Sequence, residues 1–222
     1  MAHHWDFTAT LYGFYLNPYV DVFFALAVGA LYLGLQKRKE QKASTLSRME
    51  CWAVEWYWWN AWLFHMTMDG ASGSFQLVPV VVHQYEILDM RFQTHHVVPW
   101  TIGVLELFVH GPMCLWTLYA ILVPNHPLRW PLEIVTSMLH IIGMYVFVVA
   151  EVYEGQLNVP ANDPVGVPGN TWANVKFDLY HLTYYWFGFW FCNLVWGFVP
   201  MYRIVRATQE CGKAIQKQMK SS

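Results

Sequence analysis

Five stretches of this 222-residue chain, near 17–36, 51–71, 97–123, 130–152 and 179–204, are long and apolar enough to cross a bilayer as helices. A hydrocarbon core needs about 20 mostly apolar residues per helical span. With no water there to satisfy backbone groups, only helices or closed barrels are admissible. Five such stretches in 222 residues leave no chain for the polar shell of a soluble domain. The expected architecture is an all-α membrane protein, a five-helix transmembrane bundle around an intramembrane, aromatic-lined cavity.

Charge distribution supports the count. Only 13% of residues are charged, against about 25% in globular chains. Mean hydropathy is a modest +0.25 because Trp, Tyr and His score poorly. Lys37, Arg38, Lys39, Lys42 and Arg48 lie between the first two stretches, Arg129 between the third and fourth, and Arg203, Arg206, Lys213, Lys217 and Lys220 at the end of the fifth or after it. If the spans alternate, these share one side, and only Arg91 and Lys176 fall on the other. The positive-inside rule then puts the C-terminus in the cytosol and the N-terminus across the membrane. The start of the chain has no basic n-region, so no cleaved signal peptide is expected. The resulting layout is a non-cytosolic segment 1–16, a first helix 17–36, a basic cytosolic loop 37–50, a four-helix unit 51–205 and a basic tail 206–222. Residues 154–177 read as an irregular loop rich in Gly, Pro and Asn. Residues 70–96 read as a piece that lies on the interface or dips between helices.

A net charge of −2 gives no electrostatic case for nucleic acid. The four cysteines, Cys51, Cys114, Cys192 and Cys211, show no paired spacing, which argues against a disulfide scaffold or a cysteine zinc site. No H-x-x-x-H, G-x-S-x-G, P-loop or G-x-G-x-x-G occurs, so no metal and no cofactor is expected.

With charge so scarce, an ionisable residue inside a span marks function by default. His65 and Asp69 stand four apart, on one helix face. The bland alternative is a helix-end pair that anchors the span. Glu106 sits well inside the third stretch, with His110 one turn beyond. His140 and Asn193 lie near the middle of their spans, where an interhelical hydrogen bond is the competing explanation. Glu133 and Glu151 sit near span ends and are expected at the interface. Trp58, Trp59, Trp62, Trp116, Tyr145, Tyr185, Trp186, Phe189, Trp190 and Trp196 are candidates for an aromatic lining, although packing and interfacial belts account for most such residues. Acids and aromatics enclosed together suit one chemistry: protonating an alkene, sheltering the cation, and removing a different proton.

Several short pieces, in order and spacing, carry a resemblance across residues 50–205. They are His65-Met66-Thr67-Met68-Asp69-Gly70, Gln84-Tyr85 followed by Asp89-Met90-Arg91-Phe92, Gly111-Pro112 with Leu115-Trp116, His126-Pro127-Leu128-Arg129, and the run Tyr185 to Trp196. In these the sequence resembles the emopamil-binding protein family, the sterol Δ8–Δ7 isomerases of the EXPERA superfamily. The resemblance implies catalysis by His65 and Asp69 with a third-span carboxylate, in a cavity shared by Asn193 and Trp196. Trp62, Trp186, Tyr145, His140 and His110 are further substrate-binding candidates. It also implies an endoplasmic reticulum membrane location and cofactor-free isomerisation of a sterol or related terpenoid.

Two departures stand out. Asp69 occupies a position where the isomerases carry Glu. Gly103 falls at their glutamate position, and Glu106 falls where they have threonine, a register resembling the sigma-2 receptor branch. Three readings follow: a sterol-type isomerase, a specialised-metabolism enzyme that cyclises or rearranges another hydrophobic polycycle, and a non-catalytic sterol- or lipid-binding protein. The partners expected are a hydrophobic polycyclic small molecule and membrane lipids, with a homodimer left open.

Overall fold

The computed structural model describes residues 12–160 and 176–221. Among them all regular structure is helical. The expected first segment and the 154–177 loop lie largely outside the described residues.

Helix α1 (Pro18–Glu40) starts where the Asn17 side chain accepts from Tyr19 N–H, with Pro18 pre-set for the first helical position. Asp21 in its first turn and Lys37, Arg38 and Lys39 in its last complement the helix dipole. Helix α2 opens with a capping box, in which the Ser47 hydroxyl accepts from Glu50 N–H and the Glu50 carboxylate accepts from Ser47 N–H. It runs as an α-helix over Arg48–Trp59 and continues as a π-helix over Asn60–Ser74. The expected second span therefore extends past residue 71. Two short helices follow, α3 (Pro79–Leu88) and α4 (Met90–Gln93, capped by Asp89). Helix α5 has an α part Val97–Leu105, a π turn Glu106–His110 and a second α part Gly111–Leu122. Helix α6 is Arg129–Tyr153, and α7 comprises Leu179–His181, a π part Leu182–Phe191 and a long α part Cys192–Ser221.

Contacts between helix ends fix the directions. At one end, Arg38 Nη1 donates to Leu122 O at 3.2 Å, and Arg129 Nη1 donates to Glu50 Oε1 at 2.8 Å. These tie the end of α1 to the end of α5, and the start of α2 to the start of α6. At the other end, Asn17 Nδ2 donates to Leu77 O at 2.8 Å, and Arg91 Nε lies 3.2 Å from Glu151 Oε2. The five long helices therefore alternate in direction along the chain.

Three of them, Pro18–Glu40, Val97–Leu122 and Arg129–Tyr153, are long and apolar enough to cross a membrane by length and composition. In α2 and α7 the Trp, Tyr, His and Asn content lowers hydropathy while leaving the helices as long. Large apolar side chains face outward, among them Val135, Met138, Ile142 and Val149 on α6 and Leu194, Phe198, Met201 and Val205 on α7.

The interior is packed in two ways. Ala53, Tyr57 and Ala61 of α2 meet Cys114, Leu118, Ile121 and Leu122 of α5, while Val20 and Ala27 of α1 pack with Trp62, Val78 and Val81. Charge is buried as well. Glu133 and Glu151, expected at the interface, are fully buried because each has a distant cationic partner. Arg203 Nη2 donates to Glu133 Oε2, and Arg91 sits between Asp89 and Glu151 with Phe147 beneath its guanidinium.

Candidate active site

Each of the three π segments among the described residues delivers side chains to one place. An i→i+5 pattern displaces residues from the α-helical register, and such segments concentrate at functional sites. In α2 the wider winding shows in two hydroxyls bonded five residues back, Thr67 Oγ1 to Trp62 O and Ser72 Oγ to Thr67 O, both at 2.6 Å. Its face towards the interior carries Phe64, His65, Met68 and Asp69. The π turn of α5 opens with Glu106, and that of α7 supplies Thr183, Tyr184 and Gly188.

These elements, with α3, α4 and α6, enclose a cavity of about 310 Å³. Its rings are Phe64, Tyr85, Phe92, Phe147, Tyr184 and Trp196, and most of its wall is apolar. From the stretch 70–96, expected to lie on the interface or dip between helices, Gln84, Tyr85, Leu88 and Phe92 reach into the cavity on α3 and α4.

His65, Asp69 and Glu106 come together on the cavity wall. His65 Nδ1 lies 3.4 Å from Glu106 Oε1 and 3.9 Å from Asp69 Oδ2. Tyr85 Oη donates to Asp69 Oδ1. The imidazole is 1% exposed, whereas the Asp69 and Glu106 side chains are 31% and 15% exposed, so the carboxyls meet the cavity and the imidazole stands behind them. Two bare carboxylates in so apolar a pocket repel one another, and a proton shared among the three groups relieves this.

Close helix approach makes the meeting possible. A Cβ at Gly70 would stand 2.6 Å from Leu107 Cβ, and one at Gly103 would overlap Ser74 Oγ and the Asp69 carbonyl oxygen. The position at which the resemblance expects a glutamate thus has no room for a side chain. The acid at 106, one turn further along, has a clear path to His65.

The remaining predicted residues divide. His140, Asn193 and Trp196 line the same cavity. Asn193 Nδ2 donates to Phe189 O at 2.5 Å. His110 does not reach the cavity; its ring stacks behind His65 with centroids 4.0 Å apart and planes at 22°. Trp62 is turned away, its ring meeting Phe24 of α1 at 5.1 Å. Tyr145 points outward from α6 and is 61% exposed, and Trp186 stacks on Phe177 at 5.3 Å. Of the ten aromatics proposed for the lining, Trp196 faces the cavity; the others belong to helix packing or the outer surface.

Sequence reasoning missed Asn60. Its Oδ1 accepts from Trp196 Nε1 at 2.8 Å and lies 3.3 Å from His140 Nε2. A lone Asn in an aromatic run offers no signal of this. It missed Tyr85 as an Asp69 partner too, although Gln84-Tyr85 was among the pieces that carried the resemblance.

Among the described residues, two sets have donor atoms within 4.8 Å of one another, His65–His110–Cys114–His140 and His65–Asp69–Glu106. In the first, stacking keeps the in-plane lone pairs of His65 and His110 parallel instead of convergent, and His110 and His140 direct nitrogens at the Thr136 carbonyl. The second is a mixed nitrogen–oxygen set open to the cavity, of a kind that divalent ions accept and that also exchanges protons.

The family description EXPERA (expanded EBP superfamily) matches residues 77–207, more than half of the chain. The chain belongs to the EXPERA family. Nothing among curated proteins matches it. The EXPERA match takes in Glu106, His140, Asn193 and Trp196 but begins after His65 and Asp69, so the imidazole and one acid stand on a helix outside the matched stretch. Membership places it among sterol-isomerase-like and related membrane proteins, a fold compatible with a hydrophobic ligand.

Proposed function

We propose that this EXPERA protein is an intramembrane isomerase that shifts a double bond in a sterol or related polycyclic terpenoid. The carrying observation is the His65–Asp69–Glu106 cluster on the wall of an apolar, ring-lined cavity. In this reading all five long helices cross the endoplasmic reticulum membrane, with the basic C-terminal tail in the cytosol. The common end of Arg38, Arg129 and the α1–α2 loop supports it through the positive-inside rule.

The protonated Glu106 carboxyl adds its proton to one alkene carbon, leaving a cation on the other. Phe64 and Trp196 line the cavity beside that cation, and a ring face turned to it is worth about 0.5–2 kcal/mol when desolvated. A neighbouring C–H then loses its proton to the Asp69 carboxylate, held by Tyr85, and its electron pair forms the new double bond. His65 Nδ1, between the two acids, carries the proton back to Glu106. One proton enters and one leaves, so the reaction is redox-neutral.

Membranes from cells producing the protein, supplied with a Δ8 sterol in deuterated water, should yield a deuterated Δ7 product. Glu106→Gln and His65→Ala should lower turnover about 10²–10⁴-fold. Full activity in both variants removes this site, and an unchanged sterol removes the sterol assignment. The displaced acid favours a second reading, in which the cavity rearranges or cyclises another hydrophobic polycycle. Product formation from such a substrate, lost in the same variants, would select it. Tight binding of a cationic amphiphile without turnover of either substrate would select a binding protein.

A further inference from the structure

Behind the acid pair lies a run of three buried imidazoles, and its hydrogen-bond distances favour one ordering of protons among neutral rings. The starting point is a backbone carbonyl, which only accepts. His140 Nδ1 lies 2.9 Å from Thr136 O and 2.9 Å from His110 Nε2, which is itself 3.1 Å from the same oxygen; the shorter contact to the carbonyl assigns the hydrogen to His140 Nδ1, with His110 Nε2 beside it as a second acceptor. In neutral His140, Nε2 is then a bare lone pair. Its neighbours are Asn60 Oδ1 at 3.3 Å and His65 Nε2 at 3.1 Å. The Asn60 amide is oriented twice over: Trp196 Nε1–H donates to its oxygen at 2.8 Å, and its Nδ2 donates to Trp56 O at 2.7 Å. Its oxygen therefore cannot serve His140 as a donor, and the remaining donor is His65 Nε2–H. That hydrogen fixes the tautomer of His65. Its other nitrogen, Nδ1, is left as a lone pair, buried, without a hydrogen-bond partner and directed to the side of Glu106 and Asp69.

We propose that His140 is a positioning residue that sets the His65 tautomer through the Thr136 carbonyl–His140–His65 chain, so that His65 Nδ1 stands as the proton acceptor facing the two acids. The orphaned Nδ1 is then explained: it is the atom that receives a proton from the carboxyl pair and returns it. The catalytic meaning rests on the isomerase reading given above, but the proton ordering does not. His110 supports the arrangement from the other side, its Nε2 lying 3.1 Å from the same Thr136 oxygen and its ring covering the face of His65.

The test uses the full chain in lipid nanodiscs, labelled with ¹⁵N-histidine, at a pH where free histidine is neutral. The signals of His65 are identified by their loss in His65→Gln. The wild type should show a proton on His65 Nε2 and a bare, downfield Nδ1. His140→Gln should preserve this pattern, because its amide can donate to Thr136 O and accept from His65. His140→Leu should release it, with Nδ1–H signal appearing for His65. A proton on His65 Nδ1 in the wild type overturns the proposal, as does an unchanged tautomer in His140→Leu. Should His140→Leu not fold, the wild-type and His140→Gln spectra still decide. No substrate is needed, so an absence of isomerase activity would leave this result standing.

Discussion

Replacing Gly70 with alanine probes the contact that brings the two acids together. The added Cβ would stand 2.6 Å from Leu107 Cβ, 3.1 Å from Leu107 Cα and 2.8 Å from His65 O. Carbon atoms rest at about 3.5–4.0 Å, so α5 must retreat from α2 by about 1 Å. Two of the three contacts are with main chain and cannot be relieved by rotating a side chain. Overpacking of this kind costs about 1–3 kcal/mol, offset by about 1 kcal/mol of helix propensity gained when Gly becomes Ala. The net loss, up to about 2 kcal/mol, should lower Tm by about 2–4 °C per kcal/mol. Leu107 adjoins Glu106, so the same retreat draws the carboxyl off His65, and a misplacement of about 1 Å can cost about 10²-fold in rate. Gly29 provides the control, since it lies in α1 with nothing within 4 Å of its position for a Cβ. Gly29→Ala should be stabilising by about 0.5–1 kcal/mol. Thermal unfolding in detergent, followed by tryptophan fluorescence, reads both variants, and deuterium incorporation reads turnover. If Gly70→Ala raises Tm as Gly29→Ala does, the close packing of α2 on α5 is refuted.

Two further predictions concern ion pairs. Arg203 is fully buried between Trp52 and Tyr57, with Nε and Nη1 lacking partners, so Glu133 is its main compensation. Glu133→Leu alone should cost about 3–5 kcal/mol, whereas Glu133→Leu with Arg203→Met should be near neutral; additive losses in the melting series would contradict this. Glu50, in the first turn of α2 and ahead of the expected second span, is pushed up by burial but more strongly pulled down by Ser47 and the Arg129 guanidinium, to about 2. A carboxylate lowered in the folded state stabilises above its ordinary range, and that contribution fades as the pH falls towards the folded value. The Tm deficit of Glu50→Gln should therefore be full above about pH 5 and shrink below it, and a deficit independent of pH would argue against the pair.

The helices and their alternation were legible because apolar length and one-sided basic loops are local signals. So was the core of the site: His65 and Asp69 share a face at four-residue spacing, and an acid within an apolar helix, Glu106, is conspicuous. The ring assignments failed for a geometric reason. Trp62 is three residues before His65 and would share its face in an α-helix, but α2 is wound as a π-helix there and Trp62 turns to α1. Winding of that kind leaves no mark on a hydropathy pattern. Glu133 and Glu151 were misplaced because their partners, Arg203 and Arg91, lie 70 and 60 residues away in sequence. Asn60 and Tyr85 belong to the same class, being informative only through what the fold sets beside them.

The winding of α2 and α7 has a consequence for how this pocket can change. In α2 it presents adjacent residues to the cavity in pairs, one shaping the wall and one carrying a reactive group, Phe64 with His65 and Met68 with Asp69, and the pair Cys192 with Asn193 follows directly on the π part of α7. Contour and chemistry are therefore encoded at neighbouring but separate positions. A lineage, or an engineer, can recut the outline by altering Phe64, Met68 or Cys192 and admit a differently shaped molecule while His65, Asp69 and Asn193 stay where they are.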